Sequence, residues 1–208
     1  MDRSISKILG LLMALVLMGV LLVAAAPLTV DEKMRVSLRE WSAAEAVASD
    51  TDGVLSAVTD DGTEQTITTN LTAPPCPRNV TVTAGGTAGD IKAISVTVNG
   101  KRRGVTVTES IGPFTVDTAG TVTGTKIFDT VDSVVIPAHD GNGATTEVGF
   151  GELLGLPYVP EYSAMIAAYE DGTEDASASL TVGATLADCY LDMDNNMDGD
   201  PISLIYVR

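Results

Sequence analysis

Near the C-terminus, oxygen-bearing side chains occupy every second position, which is the spacing of a calcium loop. Such loops present carboxylate and amide oxygens at alternate residues and use a glycine for the sharp turn. Counted from Asp194, the pattern matches the first half of an EF-hand loop, but Ile205 stands where the bidentate glutamate belongs. The pattern predicts either calcium binding with a non-EF geometry or a polar hairpin turn at Asp198-Gly199. The candidate ligands are Asp192, Asp194, Asn196, Asp198 and Asp200.

The single histidine, His139, is the other candidate for chemistry, because histidine is the usual general base of hydrolases. A catalytic triad needs that base beside a positioned serine or cysteine, and the chain has no G-x-S-x-G nucleophile elbow. The glycines at 85–89 lack a phosphate-loop lysine and a following helix. The segment around His139 and the glycine-rich segment 85–89 are both expected to form turns. The sequence therefore predicts no enzyme, and a secreted hydrolase is the least favoured hypothesis.

Two cysteines and two sequons are candidates for covalent modification. Cys76 and Cys189 could pair outside the cytoplasm, closing a loop of about 110 residues worth roughly 4 kcal/mol in the chain-entropy model. The alternative is two unrelated thiols, and one distant histidine completes no zinc motif. Asn70 and Asn79 each begin an Asn-x-Thr triplet, so both are candidate glycosylation sites in an exported chain.

The strong acidity of the chain limits its partners. The formal net charge is −16 and the sequence pI is about 4.1. Such a chain repels nucleic-acid phosphates, so no nucleic-acid partner is expected. The basic cluster Lys101–Arg103 is an exception within this acidic sequence. It is interpreted either as a solvated hairpin or as a contact with an acidic face of a neighbouring copy.

Residues 1–30 contain an apolar run long enough to cross a membrane. Residues 8–26 carry no charge, and about 19 helical residues span roughly 28 Å, close to the hydrocarbon thickness of a bilayer. Arg3 and Lys7 precede the run, which predicts that the rest of the chain faces outward. The segment is expected to be either an uncut transmembrane anchor or a signal peptide cut near Ala25. A buried core helix is a third option.

The next two segments are predicted to be a helix and a linker. Residues 31–49 place Met34, Leu38 and Trp41 at i, i+4 and i+7, which predicts an amphipathic helix packed on the following domain or serving as a stalk. Residues 50–78 are rich in turn signals, with a candidate hairpin at Asp61-Gly62. Prolines at 74, 75 and 77 favour a boundary at its end.

From residue 79 to 208 the sequence is a series of short strands. Segments such as NVTVTA and ISVTV alternate, and turn signals separate them. Asn99-Gly100 is a strong type I′ hairpin signal. Many short strands without crossover helices predict a mostly β fold, an antiparallel β-sandwich or jelly-roll-like domain preceded by the N-terminal apolar helix.

Several phrases in residues 76–208 occur in an order that resembles β-rich structural proteins of virions from tailed phages and related viruses. These phrases include PRNVTVTAGGTAGDIKAISVTVNG, FTVDTAGTVTGTKIFDTVDSVVIPAHDGNGATTEVGFG and LDMDNNMDGDPISLIYV. The resemblance implies a structural role in a particle or appendage and no catalytic residues. At the N-terminus, the order of Lys7, the apolar run and Pro27 is loosely similar to type IV pilins, without their Gly-Phe-Thr cut site or early glutamate.

Together these features predict a non-enzymatic, self-associating subunit of a virion or virion appendage. The alternative is an exported filament or surface-layer subunit of a cell surface. The expected partners are further copies of the chain and a membrane contacted through residues 8–26. No cofactor is expected other than the candidate calcium ion, and the expected location is the virion or the extracellular surface.

Overall fold

The structure is a computed structural model, and it describes residues 35–194 and 197–207. These residues form fourteen strands and two short 3₁₀ helices, at Ala88–Asp90 and Leu186–Asp188. The strands are β1 Val36–Trp41, β2 Asp50–Thr59, β3 Gln65–Ile67, β4 Arg78–Gly86, β5 Val96–Arg102, β6 Val105–Ile111, β7 Gly120–Phe128, β8 Thr130–Ile136, β9 Ala144–Gly155, β10 Met165–Glu170, β11 Thr173–Glu174, β12 Ser179–Thr181, β13 Tyr190–Asp192 and β14 Ile202–Val207.

The strands form three antiparallel sheets. The terminal sheet has the order β1-β14-β10-β11, and the hairpin sheet has the order β3-β8-β5-β6. The central sheet has the order β12-β13-β9-β4-β7, and β2 also pairs with β9. The prediction of a mostly β, antiparallel fold is thus confirmed.

The central and hairpin sheets face each other across the larger core. Val80 and Val82 of β4 pack in one cluster with Val96 and Val98 of β5 and are excluded from solvent. β5 buries every second residue, as a strand with one solvated face does, whereas residues 78–82 of β4 are all buried. The two sheets pack face to face in a sandwich-like arrangement. The low aromatic content explains why valine and isoleucine fill most of this core.

A second core lies between the terminal sheet and the far end of β9. It contains Trp41 from β1, Leu204 and Tyr206 from β14, and Leu154 from β9. Because β9 is twelve residues long, it contributes Val148 to the larger core and Leu154 to the second. One long strand therefore joins the two cores.

The amphipathic helix predicted for residues 31–49 is wrong where the structure describes it, since Val36–Trp41 is β1 and pairs with β14 over six residues. Leu38 is 62% exposed whereas Trp41 is 1% exposed. Residues three apart lie on opposite faces of a strand, although they share a face on a helix. A single helical turn forms after β1. There the Ser42 backbone N–H and hydroxyl both donate to the Glu45 carboxylate, and the Ala46 N–H donates to the Ser42 carbonyl.

The linker predicted for residues 50–78 is also wrong. β2 belongs to the central sheet and buries Val54 and Leu55, while β3 belongs to the hairpin sheet. The two strands do not pair, so the hairpin predicted at Asp61-Gly62 does not form. Both strands are integral to the β domain, which therefore begins well before residue 79.

The turn between β5 and β6 lies four residues beyond its predicted position. Arg103 and Gly104 form it with φ angles of 49° and 78°, the two positive values that a type I′ turn requires. Asn99 and Gly100 lie inside β5. A Cβ on Gly100 would come within 2.0 Å of the Thr130 carbonyl oxygen, so this glycine permits close approach of β8.

Across residues 35–194 and 197–207, no helix is long and apolar enough to cross a bilayer. The apolar run at residues 8–26 lies outside the described residues. Its two predicted roles, anchor and signal peptide, stay predictions.

Candidate functional site

The predicted calcium ligands do not gather into one site in the part of the chain that the structure describes. Burial raises the pKa of Asp192, and the charges of Asp194 and Asp175 raise it further. The pKa of Asp200 is raised mainly by the charge of Asp198. The two carboxylates thus have different electrostatic neighbours. Within residues 35–194 and 197–207, no group of three or more acidic, histidine or cysteine side chains could hold a metal ion. Asn196 lies outside the described residues, and calcium binding stays a prediction.

The carboxylates that follow Met197 form an acidic surface with the β10–β11 turn. Asp171, Asp198 and Asp200 are exposed, and Glu170 is half-buried. Burial raises the pKa of Glu170, and the charges of Asp198 and Asp200 raise it further. These four residues are called the acidic tip below. Their repulsion makes the tip a surface that a cation would stabilise.

His139 lies in a buried polar network. Its Nδ1 accepts a hydrogen bond from the Lys92 backbone N–H at 3.2 Å, and its Nε2 lies 3.0 Å from the Thr146 hydroxyl. The ring stacks on Phe114, and its backbone N–H donates to buried Asp60. Because Nδ1 accepts, the proton of the neutral ring is on Nε2. The segment at His139, predicted to be a turn, is thereby hydrogen-bonded to Thr146 of β9 and to Asp60 of the β2–β3 connection.

This network predicts a pH-dependent stability. Burial lowers the pKa of His139, against the opposing effect of Asp60 and Asp140. The unfolded chain therefore takes up the proton first as the pH falls below about 6.5, and stability decreases from there toward the lower folded pKa. His139→Gln removes this titration. We expect the wild type to lose more thermal stability than His139→Gln between pH 7 and pH 5, measured by circular dichroism, and parallel pH profiles would contradict the account.

Of the two alternatives for Cys76 and Cys189, a disulfide or two unrelated thiols, the structure has the second. Both thiols are free and buried in the second core. The Cys76 thiol lies 3.4 Å from the Glu45 carbonyl oxygen, and the Cys189 thiol lies 3.2 Å from that of Thr185. Each thiol thus has its own backbone acceptor, as a small buried side chain commonly does.

Buried thiols should resist modification in the folded protein. Burial raises the pKa of Cys76 to about 11 and raises that of Cys189. The smaller thiolate population alone should slow the reaction of Cys76 at pH 8 by about a hundredfold relative to the denatured chain. A thiol-reactive dye followed by mass spectrometry measures this. Rapid native labelling, or the mass deficit of a disulfide before reduction, would contradict it.

Of the two candidate glycosylation sites, one is excluded by burial. Asn79 is fully buried, its amide donates to the Gly124 carbonyl at 2.8 Å, and its side-chain oxygen accepts from the Leu153 N–H at 2.9 Å. An amide used in this way is inaccessible to a glycan, so that prediction is wrong. Asn70 is exposed, and its modification stays a prediction.

One groove brings together the basic cluster and an exposed strand. It has a volume of about 470 Å³ and lies between β6 and the segment 184–187. Its apolar surface includes Val105 and Val159, which are 69% and 44% exposed. This cavity is called the basic groove below. It is lined by Arg102, Arg103, Val105, Thr106, Val107, Thr108, Lys126, Val159, Ala184, Thr185, Leu186 and Ala187.

The three cations of the basic groove have different partners. Arg102 is buried, its guanidinium pairs with Asp129 and it also donates to the Leu156 carbonyl. Lys126 pairs with Asp188 at 2.8 Å. Arg103 is exposed, and its side chain makes no ion pair with another described residue. It is therefore the cation available to an acidic ligand.

A second groove, of about 580 Å³, lies on the central sheet and is lined largely by hydroxyls and carboxylates. Ser49 donates to Glu152 at 3.3 Å, and Phe150 at the groove is 7% exposed. Arg78, fully buried, lies with its guanidinium carbon 4.9 Å from the centre of the Phe150 ring. The groove can hydrogen-bond a polar molecule.

Comparison with models of protein families, with curated proteins and with solved structures found no match. Evidence for the function therefore comes from the residues, charges and geometry of the sites themselves. The sequence indicated the basic groove only through the Lys101–Arg103 cluster. Its other wall comes from residues 184–187, about 80 positions away, and no local pattern connects the two segments.

Proposed function

We propose that this chain is a non-enzymatic, self-associating structural subunit of a virion or a virion appendage, built on a sandwich or jelly-roll-like β domain. The observation that carries the proposal is the presence of exposed apolar side chains on strands that lie at sheet edges among residues 35–194 and 197–207. β1 is an edge of the terminal sheet and exposes Val36 and Leu38, while β6 is an edge of the hairpin sheet and exposes Val105.

Edge strands present unpaired backbone groups, and proteins that remain monomeric usually cover them or give them charged residues. β1 carries the exposed charge of Glu40, yet it also exposes Val36 by 66% and Leu38 by 62%. Ile166, 55% exposed, lies on β10 of the same sheet. Apolar side chains beside unpaired backbone favour burial against another protein surface. In a self-associating subunit, these edge strands would be buried against neighbouring copies.

The virion part of the proposal rests on the resemblance of residues 76–208 to β-rich virion proteins. The cell-surface alternative, a filament or surface-layer subunit, rests on the apolar run at residues 8–26 with basic residues before it. In both cases the N-terminal segment contacts a membrane, and the β domain lies on the outer side or in the particle.

Sedimentation velocity of the full chain in a non-ionic detergent, over a hundredfold concentration range, tests self-association. We expect a reversible increase in the weight-average sedimentation coefficient with concentration. The net charge of −16 opposes association, so cations should favour it. A further increase on adding calcium at constant ionic strength would support the calcium prediction. A single monomeric species at every concentration, with and without calcium, would refute the proposed function.

A further inference from the structure

The basic groove has the features of a docking surface. An apolar interior, formed in part by Val107 and Leu186, is bordered by the free guanidinium of Arg103. An interface of this composition receives apolar contact at its centre and fixes orientation through charge at its rim. The chain carries a net charge of −16, so acidic surfaces of another copy are available to an exposed cation that makes no ion pair with another described residue.

The edge of β6 adds backbone hydrogen bonds to this surface. In the type I′ turn the Val105 N–H is directed to the Arg102 carbonyl, so Val105 and Val107 pair with β5. Hydrogen bonding alternates along an antiparallel strand, and the backbone groups of Thr106 and Thr108 therefore point away from β5. Both threonines line the groove. An extended segment lying there would meet unpaired backbone groups.

We propose that the basic groove receives the acidic tip of a second copy of this chain, a contact that rests on the proposed self-association. Charge complementarity supports this occupant. The acidic tip includes Asp171, Asp198 and Asp200, which are exposed, and the groove presents the free cation of Arg103. Contact with the guanidinium would relieve the mutual repulsion that raises the pKa of Asp200.

The proposed contact joins two different surfaces, so it is heterologous. The groove is formed by β6 of the hairpin sheet and segment 184–187, whereas the tip lies at β10, β11 and the residues before β14 of the terminal sheet. Repetition of a heterologous contact gives a closed ring or an open filament. Either product is an assembly of the kind that the proposed function requires.

Reciprocal charge reversal in the full chain tests the contact by sedimentation velocity in detergent. We expect Arg103→Glu to weaken association by at least about tenfold. Asp200→Arg should weaken it by a similar factor, although it lowers the net negative charge and would by itself favour association. The double variant has the native net charge and reversed charges on both surfaces. It should recover an association constant within about threefold of the wild type.

Two exposed residues outside the contact provide matched controls. Lys101→Glu changes the net charge as Arg103→Glu does, at a neighbouring residue that does not line the groove. Glu64→Arg, on the connection between β2 and β3, matches Asp200→Arg. Both controls should stay within about threefold of the wild type, and thermal unfolding should show that all variants are folded.

Two outcomes would overturn the inference while the proposed function stands. In one, the wild type associates but Arg103→Glu and Lys101→Glu behave alike. In the other, the double variant associates no better than its two parents, so the acidic tip is not the occupant. A wild type that remains monomeric would instead overturn both the inference and the proposed function.

Discussion

Asp129→Ala should lower the free energy of unfolding by about 3 kcal/mol. The Asp129 carboxylate pairs with the guanidinium of Arg102, which is 4% exposed, and also accepts the Arg103 backbone N–H. Removing the carboxylate leaves a buried cation with only the Leu156 carbonyl as acceptor. An uncompensated buried charge costs far more than a lost surface ion pair. Urea unfolding followed by the fluorescence of the single tryptophan, Trp41, measures the change.

Asp132→Ala is the matched control for this experiment. Asp132 is on β8, pairs with Lys101 at 3.3 Å, and both side chains are about half exposed. An exposed pair of this kind contributes at most about 1 kcal/mol. Equal destabilisation by the two alanine variants would contradict the assignment of Asp129 as the partner of a buried charge.

Gly149→Ala should destabilise the fold by about 3 kcal/mol or more. Gly149 lies in β9, where β2 crosses it, and an added Cβ would be 1.8 Å from the Asp50 carbonyl oxygen. Both atoms are fixed by backbone, so no side-chain rotation relieves the overlap. β2 must therefore separate from β9, which exposes Val54 and Leu55 of the larger core. Thermal unfolding by circular dichroism measures the loss.

Gly120→Ala separates this steric effect from the general effect of replacing a glycine. Gly120 begins β7, and a Cβ there would meet nothing within 4 Å. This variant should be neutral or more stable by about 0.5 kcal/mol, because alanine restricts the unfolded chain. If Gly149→Ala unfolds at the same temperature as Gly120→Ala, β2 does not pack on β9 as described.

The sequence predicted the fold class well because strand alternation is a local signal. The alternating burial of β5 follows directly from the run ISVTV, and the run NVTVTA forms β4. The position of the hairpin turn did not follow from its local signal. Asn99-Gly100 is a favourable turn pair, but the close approach of Thr130 of β8 requires Gly100 within the strand. Tertiary packing thus overrode turn propensity.

β1 illustrates a second limit of local reasoning. The spacing of Leu38 and Trp41 suits a helix, yet only Trp41 is buried, because pairing with β14 decides which face is covered. β14 lies at the opposite end of the chain, so its pairing leaves no pattern near residue 38. The basic groove could not be predicted for the same reason, because its two walls are distant in sequence. Arg103 was visible as part of a basic cluster, but its groove partner Leu186 was not.

The buried polar residues were the least predictable feature. Asn79 begins a sequon and was a candidate glycosylation site, but it bridges β7 and β9 from inside the fold. Arg78 beside it is also fully buried and donates to the Val47 carbonyl at 2.6 Å. Burial of such residues depends on backbone acceptors distant in sequence, which residue type alone does not reveal.

Quantitative mass spectrometry of virions and surface filaments purified from the natural source tests the central claim most directly. A repeating structural subunit must be present in many copies, and we expect this chain among the most abundant proteins of one purified assembly. Abundance in virions supports the first form of the proposal, and abundance in filaments supports the alternative. Absence of the chain from both preparations, while it is present in soluble fractions of the same source, would contradict a structural role.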